Sequence, residues 1–249
     1  MYKRKKTKQM EKKITAKELA TQAAQIYYNP MHPAAFGGVE PLWRALKGRW
    51  SRLAIKKWLA SQWTYSLHRP ARVKGYLTRP TRTHGIDHQW QADLVEMGPY
   101  AKDNGGYRYI LMAIDVFSRY GWAQPLKNKT SGEVIRGLEA IFKGPPERKP
   151  FSLQTDEGKE FENKPVREFL IKRGPHPTKQ FSVKSAYKAS MVERLNWTIK
   201  TKMWRVFTRE GHRRWVSLLP QLMVGYNASR HRIIGMAPAE VNKLNASEL

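Results

Sequence analysis

The 249-residue chain contains no cysteine. Disulfides and thiolate-bound zinc sites are therefore excluded, and the composition fits a reducing compartment. The sequence has no apolar run long enough to span a bilayer, and it has no secretory signal pattern. No membrane partner is therefore expected. Acidic residues are scarce: 20 Asp and Glu stand against 46 Lys and Arg, which gives a formal charge of +26 at pH 7. This excess predicts a polyanionic partner, because neutralising phosphates releases counterions.

Composition divides the chain into four parts: a basic tail expected to be disordered at 1–14, a small helical domain at 15–68, a basic linker at 69–84 and a larger domain at 85–245. The tail suits nuclear import or DNA contact. Three helices are predicted in the helical domain, where Thr15 and Glu18 make a capping box and Ser51 is positioned to cap the last helix. The basic last helix slightly favours a helix-turn-helix-like DNA-binding module over a domain with a packing role.

Apolar patterning in the larger domain predicts an α/β fold. Buried or alternating runs indicate strands, and amphipathic runs indicate helices. The predicted strands are 88–97, 107–117, 120–126, 151–155 and 181–183. The predicted helices are 131–142, 161–172, 186–208 and 215–226. Three strands followed by alternating helices and strands indicate a mixed five-stranded sheet flanked by helices.

Three acidic residues in this domain indicate a shared chemical role. Asp93 lies in the first strand, Asp156 follows the fourth strand, and Glu193 lies on the long helix. Rigid elements can bring the carboxylates together, where their repulsion calls for cations. Hard divalent ions held by carboxylates catalyse displacement at phosphorus, so the pattern favours a nucleic-acid phosphoryl-transfer enzyme. Taken singly, an Asp after a strand is usually a cap, and a Glu on a helix is usually solvated.

The residues around these acids resemble the three signatures of retroviral-type integrases and related transposon integrases. The signature segments here are 90–93, 155–161 and 192–196. Residues 157–192, 36 in number, separate the last two acids, one more than is usual in that family. Segments 113–120 and 226–241 are similar to the family's second strand and to its closing segment. The resemblance covers about residues 80–243.

The resemblance implies an RNase H-like core in which Asp93, Asp156 and Glu193 are the catalytic residues and hold two Mg²⁺ or Mn²⁺ ions. It also implies that the enzyme trims element DNA ends and joins their 3′-hydroxyls to target DNA as a dimer or tetramer. The basic tail and the DNA substrate together lead us to expect the nucleus as its location. Two alternatives stay open: a plain metal-dependent nuclease, and a catalytically inactive, domesticated DNA-binding protein.

The chain departs from retroviral integrases in two respects. Those enzymes carry an N-terminal zinc module with two His and two Cys, and this chain has no Cys. Its segments 26–33 and 64–68 look more like integrases of Maverick/Polinton-type transposons. The end at Leu249 leaves no room for the C-terminal DNA-binding domain usual in these enzymes, which fits a fragment, a truncated copy or a compact variant.

Other residues of the larger domain have predicted roles beside the triad. Asp115, on the second strand, is interpreted as structural, bonding the Ser118–Arg119 turn or a neighbouring arginine. Basic residues around Glu193 are predicted to contact DNA phosphates rather than to form a solvated helix face. These predicted DNA contacts are Lys184, Lys188, Arg194, Lys200 and Lys202. Three tryptophans are interpreted as core or dimer-interface residues: Trp197, Trp204 and Trp215.

Overall fold

A computed structural model describes most of the chain, namely residues 16–68, 83–172, 174–182 and 189–248. The basic tail, Thr15 of the predicted capping box, nearly all of the basic linker and two predicted DNA contacts, Lys184 and Lys188, lie outside the described residues. In the described parts, no helix is both long enough and apolar enough to cross a membrane.

Five strands form one mixed sheet. They are β1 (Gln89–Glu96), β2 (Tyr109–Asp115), β3 (Gly121–Leu126), β4 (Ser152–Thr155) and β5 (Lys179–Ser182). Their order across the sheet is β3-β2-β1-β4-β5. The β1–β2 and β2–β3 pairs are antiparallel, whereas the β1–β4 and β4–β5 pairs are parallel. The predicted mixed five-stranded sheet is confirmed, and each strand overlaps its predicted range.

The described residues form eight α-helices. They are α1 (Ala16–Tyr27), α2 (Val39–Ala45), α3 (Arg52–Ser61), α4 (Trp63–Leu67), α5 (Ser131–Lys143), α6 (Lys164–Lys172), α7 (Ser190–Glu210) and α8 (Leu219–Asn227). The predicted cap of α3 is present, because Ser51 Oγ accepts from the Ala54 N–H at 3.1 Å. Helix α6 begins three residues later than predicted, because the Asn163 side chain caps it by accepting from the Val166 N–H at 3.0 Å. The short helix α4 was not predicted.

Two hydrophobic cores lie on opposite faces of the sheet. Alternate residues of β2 face different cores, as a strand buried on both sides requires. Leu111 packs in the core beneath α5 and α6, while Ile110 and Met112 pack in the core beneath α7 and α8. The sheet is therefore a central layer, and α7 lies against the face that carries the second core.

The N-terminal helices extend the second core and do not have one of their own. Leu42 and Ile55 are fully buried in the same cluster as Met203 of α7. Arg205, also on α7 and buried, donates a hydrogen bond to the Phe36 carbonyl oxygen. Helices α1 to α4 therefore dock on α7. The boundary between a small helical domain and a catalytic domain stays a prediction.

The three tryptophans of the C-terminal helical region differ in burial. Trp215 is fully buried, and the Trp204 ring packs against those of Tyr100 and Phe207, with centroids 5.5 and 5.0 Å away. A core role is therefore confirmed for Trp215. Trp197 is 56 % exposed, so it is not a core residue.

Candidate active site

The two aspartates of the triad lie on neighbouring strands, Asp93 within β1 and Asp156 just past the end of β4. In the parallel β1–β4 pair, Gln91 lies opposite Gln154, and each glutamine precedes one of the aspartates by two residues. Residues two apart on a strand share a face, so Asp93 follows Gln91 on one face of β1. Asp93 is partly buried, whereas Asp156 is exposed just past the end of β4. The Asp156 Oδ1 accepts from the Gly158 N–H at 3.2 Å.

Gln91 fixes the beginning of α7 to the sheet. Its Oε1 accepts from the backbone N–H groups of Met191 at 3.0 Å and Val192 at 3.2 Å, and its Nε2 donates to Gln154 Oε1 at 3.1 Å. The first N–H groups of a helix have no partner within the helix, and Gln91 supplies a partner for two of them. Since Gln91 is 1 % exposed, these bonds are shielded from water. The next residue, Glu193, lies close enough to Asp93 for its charge to raise the pKa of that carboxyl.

Asn196 ties the same helix to Asp93. It lies one turn after Glu193, and its Nδ2 donates to Asp93 Oδ2 at 2.8 Å. The other carboxylate oxygen, Oδ1, accepts from the Leu94 N–H at 2.8 Å. Within the described structure, Asn196 Oδ1 is buried and has no hydrogen-bond partner. A buried polar atom left unpaired carries a free-energy cost, and this one lies beside a carboxylate.

The electrostatics of the site reflect the convergence of three carboxylates. Burial raises the pKa of Asp93 above its ordinary value, and the charges of Asp156 and Glu193 raise it further. Hydrogen bonds from the Leu94 backbone and from Asn196 act in the opposite direction on this pKa. No three His, Asp or Glu side chains of the described residues stand close enough together to hold a metal ion. Asp93 thus interacts electrostatically with Asp156 and Glu193, but the three carboxylates are not grouped at metal-binding distance, and their catalytic role stays a prediction.

Asp115 belongs to a separate structural network, in agreement with its interpretation from the sequence. It is fully buried, and its Oδ2 accepts from the Ser118 hydroxyl at 2.5 Å and from the Ser118 N–H at 3.2 Å. Arg148 forms ion pairs with Asp115 at 2.5 Å and with Asp87 at 2.7 Å. These contacts use the polar atoms of Asp115 to hold the turn between β2 and β3.

The described basic residues predicted to contact DNA differ in their settings along α7. Arg194 is exposed and Lys200 is partly buried. Lys202 lines a cavity between α7 and the segment that joins α1 to α2. Their contact with DNA stays a prediction.

Two positioning residues of the site, Gln91 and Asn196, were not assigned a role from the sequence. For each residue, its spacing from a triad acid in the sequence could have indicated the role. Gln91 lies two residues before Asp93 and so shares its face of the strand. Asn196 lies three residues after Glu193, which brings it one helical turn along the same side of the helix.

Comparisons with known proteins match the same part of the chain. Residues 84–178 match the integrase core domain family, a range that includes Asp93 and Asp156 and ends before Glu193. The chain is 38% identical over 147 residues to a transposon-derived protein of Caenorhabditis elegans, covering 59% of this chain and 50% of that protein. It is 33% identical over 140 residues to the Pol polyprotein of Radiation murine leukemia virus (strain Kaplan), covering 56% of this chain and 23% of the polyprotein. The chain thus spans half the length of the first relative and under a quarter of the second.

Solved structures show the same fold. The catalytic core domain of HTLV-2 integrase in complex with magnesium, in its trimeric form, is 20% identical, with a TM-score of 0.53 over 64% of this chain and 99% of that one. Its dimeric form is 19% identical, with a TM-score of 0.52 and the same coverage. The expected RNase H-like fold is confirmed. The narrower resemblance to Maverick/Polinton integrases is not confirmed by these matches.

Proposed function

We propose that this chain is a metal-dependent polynucleotidyl transferase, because residues 84–178 match the integrase core domain family and the fold is that of integrase catalytic cores. In this proposal, the protein trims the ends of its element's DNA and joins their 3′-hydroxyls to target DNA. The observation that carries the proposal is the placement of Asp93 on β1, Asp156 just past the end of the neighbouring β4 and Glu193 in the first turn of α7, which Gln91 anchors to β1, close enough for the charges of Asp156 and Glu193 to act on Asp93. An arrangement that repels itself without cations is suited to binding them.

The chemistry of the donor atoms suits Mg²⁺ or Mn²⁺, and we infer that two ions bind once the three carboxylates are drawn together. Hard divalent ions take carboxylate and amide oxygens, and the site offers the three acids together with the unpaired Oδ1 of Asn196. Both Asp93 oxygens keep a free lone pair after accepting one bond each. When bound, the ions would activate the attacking oxygen and stabilise the charge that develops in the in-line displacement. The magnesium complex of the HTLV-2 integrase core supports this choice.

The protein's own residues would set the positions of the ligands. Gln91 holds the first turn of α7, so Glu193 and Asn196 keep a fixed place relative to β1. Asn196 orients Asp93, and a carboxylate fixed in advance need not reorganise when the metal or the substrate arrives. Exposed Arg194 would bind phosphates of the DNA backbone beside the site.

We also propose a dimer or tetramer that acts in the nucleus. Joining two DNA ends requires two active sites, and the HTLV-2 integrase core occurs in dimeric and trimeric forms. Light scattering on the purified chain, with and without DNA, measures the mass of the assembly. A strict monomer under both conditions would rule out this part of the proposal.

A strand-transfer assay with pre-cut end DNA of the source element tests the proposed activity. The wild-type chain with Mg²⁺ or Mn²⁺ should join the ends to target DNA, and Asp156→Asn should not. Asp103→Asn, which removes an exposed carboxylate from the loop between β1 and β2, is the matched control and should retain joining. Nicking without joining would favour a plain nuclease. Salt-sensitive DNA binding without metal-dependent chemistry would favour an inactive DNA-binding protein.

A further inference from the structure

A cavity of about 610 Å³ lies between α7, the segment joining α1 to α2, and the chain that follows α8. Its volume is within the range of small-molecule binding sites, which are mostly apolar with a few polar groups. The apolar part of its lining consists of small side chains and one indole, namely Pro33, Ala34, Pro41, Ala45, Trp197 and Pro238. None of the three triad acids is among the described residues that line it, so the cavity is separate from the carboxylate site.

The polar part of the lining favours an anionic ligand. Among the described residues of this cavity, none is Asp or Glu, and the cations are Arg44, Arg194, Lys202, Arg230 and Arg232. Burial lowers the pKa of His231, another lining residue, to about 4, and the charges of Arg119, Arg194 and Arg232 contribute to this shift. Arg194 and Arg232 therefore act on the same part of the cavity, where a phosphate or carboxylate group would find two guanidinium partners.

Lys202 brings a primary amine to this cavity from α7. The side chain is partly buried, and it makes no hydrogen bond or ion pair within the described structure. The titratable groups that share the cavity with it are His32, His231, Tyr226 and the four arginines. Burial lowers the pKa of the Lys202 ammonium to about 8, with a further contribution from the charge of Arg205. Near neutral pH a sizeable fraction of this amine is therefore uncharged, against roughly one part in a thousand for an ordinary lysine.

An uncharged lysine amine is a nucleophile for carbonyl carbon, and burial beside another cation is one way in which proteins produce it. We propose that this cavity binds a small aromatic aldehyde that carries a phosphate or carboxylate group, and that Lys202 holds the aldehyde as an imine. The inference goes beyond the proposed function, because it requires neither a metal ion nor DNA.

Imine formation at Lys202 needs no further reactant. The lone pair of Nζ adds to the carbonyl carbon, and one proton passes from the nitrogen to the carbonyl oxygen to give a carbinolamine. The nitrogen then loses its second hydrogen and the carbon loses hydroxide, which depart together as water and leave a C=N bond. Nothing is oxidised or reduced, and the reverse reaction with water releases the aldehyde.

His32 supplies a neutral donor beside the amine. Its Nδ1 accepts from the Ala34 N–H at 3.0 Å, so the neutral ring carries its proton on Nε2. Burial lowers the pKa of His32, and the charge of Lys202 lowers it further, which shows that the ring and the amine are close. A hydrogen bond from Nε2 to the carbonyl oxygen would draw electrons from the carbon that the amine attacks.

Trp197 favours an aromatic ligand over a simple aliphatic one. The indole lines the cavity, yet 56 % of the residue is exposed to solvent. An aromatic ring stacked on this indole would cover it and gain from the contact. An aromatic aldehyde with an anionic substituent would thus use the indole, the arginines and the amine together.

Pyridoxal phosphate is the probe for the test, because it combines an aldehyde, an aromatic ring and a phosphate. The full chain is titrated with it near neutral pH, in EDTA and in a buffer without amines, and the long-wavelength absorbance of the imine is recorded. Borohydride then reduces the C=N bond, so that mass spectrometry of peptides locates the adduct. We expect one equivalent on Lys202 at probe concentrations that leave the exposed lysines unmodified.

Two variants test the amine. Lys202→Arg keeps a cation but has no amine that forms an imine, so the absorbance should be lost. Lys200→Arg lies on the same helix, outside the described lining of the cavity, and should retain the absorbance as the matched control. In the wild type, the rate of imine formation should rise with pH and be half-maximal near pH 8, as Lys202 loses its proton.

A third variant tests the recognition of the anionic group. Arg232→Gln should weaken the binding of pyridoxal phosphate about tenfold, since a charge-assisted hydrogen bond is lost. It should leave the binding of pyridoxal, which has no phosphate, unchanged. An equal effect on both compounds would overturn the assignment of Arg232 to the anionic group.

The peptide map alone can overturn the proposal. Adducts spread over the exposed lysines without preference for Lys202 would do so, and this result needs only the wild-type protein, whether or not Lys202→Arg folds. Equal imine absorbance from Lys202→Arg and the wild type would also overturn it. So would a wild type that binds the probe without forming an imine, which would leave the cavity as a non-covalent anion site. None of these measurements involves strand transfer, so the proposed function stands or fails separately.

Discussion

The Nδ2 of Asn196 donates a 2.8 Å hydrogen bond to the Oδ2 of Asp93, so a residue of the long helix orients the carboxylate of the central strand. The same turn of α7 carries Glu193, and Gln91 anchors that turn to the sheet. The geometry of the triad therefore depends on side chains that are not themselves acidic. Groups of this kind, next to metal ligands, commonly contribute one to two orders of magnitude to metal affinity or activity.

Asn196→Ala should lower metal-dependent strand transfer by about 10- to 100-fold. The hydrogen bond from Asn196 lowers the pKa of Asp93, so its loss should raise that pKa. Protons would then compete more strongly with the metal for the carboxylate. The rate should recover in part at higher Mg²⁺ concentration and at higher pH. Rates measured over a grid of both variables test this, with Gln221→Ala on the exposed side of α8 as the control. A uniform loss that neither variable restores would contradict the proposed role.

Asp93→Asn should stabilise the metal-free protein at neutral pH. Burial and the neighbouring acids raise the folded-state pKa of Asp93 above its unfolded value. For an acid shifted in this direction, the folded state binds more protons, so stability falls as pH rises from the unfolded pKa through the folded one. The gain in melting temperature should thus be present at pH 7 and shrink towards pH 4. Glu96→Gln removes an exposed carboxylate from the same strand and should show no such gain.

Mg²⁺ should reverse the order of the melting temperatures of the wild type and Asp93→Asn. In the proposed function, the ion would bind the folded wild-type triad and raise its melting temperature by mass action, whereas Asp93→Asn would lack one ligand and gain less. Thermal melts in EDTA and in excess Mg²⁺ measure both effects. If the wild type gains no more from Mg²⁺ than the variant does, the acids do not form a metal site.

Gln91→Leu should reduce both stability and strand transfer. The variant keeps a side chain of similar size but leaves the Met191 and Val192 N–H groups unpaired at a buried helix start. Such a loss costs about 1–3 kcal/mol for each unsatisfied group. Urea unfolding gives the change in free energy, with Gln221→Leu on the α8 surface as the control. Full activity in a folded Gln91→Leu protein would show that Glu193 is held by other contacts.

The elements that sequence patterning predicted well are those with a clear apolar period. Strand β2 is an example, because Ile110 and Leu111 pack in cores on opposite faces of the sheet. Helix α4 was missed because it is five residues long and exposes Trp63 and Leu67 by 68 and 55 %, so it has almost no buried face. The length and the period of an element determine whether its sequence reveals it.

The candidate site was predictable only in part. The three acids have distinctive neighbours in the sequence, whereas the roles of Gln91 and Asn196 depend on strand register and on the rotation of α7 about its axis. The cavity around Lys202 depends on how the N-terminal helices dock, which no local pattern encodes. Contacts between distant segments are set by the shapes of packed surfaces, and a single sequence does not specify which surfaces meet.

Asp115→Asn should lower stability without abolishing chemistry. Removing one charge from a buried ion pair costs about 3 kcal/mol or more, although Arg148 would keep its bond to Asp87. Glu168→Gln, which breaks exposed pairs with Lys164 and Lys172, should cost less than about 1 kcal/mol. Urea unfolding and strand transfer by the folded fraction separate the two effects. Loss of chemistry in a stably folded Asp115→Asn protein would place Asp115 in the catalytic site.

Gly225→Ala tests the docking of the N-terminal helices on the sheet domain. A Cβ at Gly225 in α8 would lie 2.5 Å from the carbonyl oxygen of Pro30 and 3.2 Å from that of His32, both in the segment after α1. Because these atoms belong to the backbone, the clash with the added Cβ is relieved only if the whole segment moves. We therefore expect a loss of about 1–3 kcal/mol in the free energy of unfolding.

The matched control is Gly132→Ala in the first turn of α5, where an added Cβ meets nothing within 4 Å. There the substitution should stabilise the protein by about 0.5–1 kcal/mol, because alanine loses less backbone entropy in a helix. Hydrogen exchange adds a local readout: in Gly225→Ala, amides between α1 and α2 should exchange faster while those of β2 stay protected. Unchanged exchange in that segment together with unchanged stability would mean that α8 and the N-terminal helices do not meet at Gly225. Such a result would also remove one wall of the cavity that Lys202 lines.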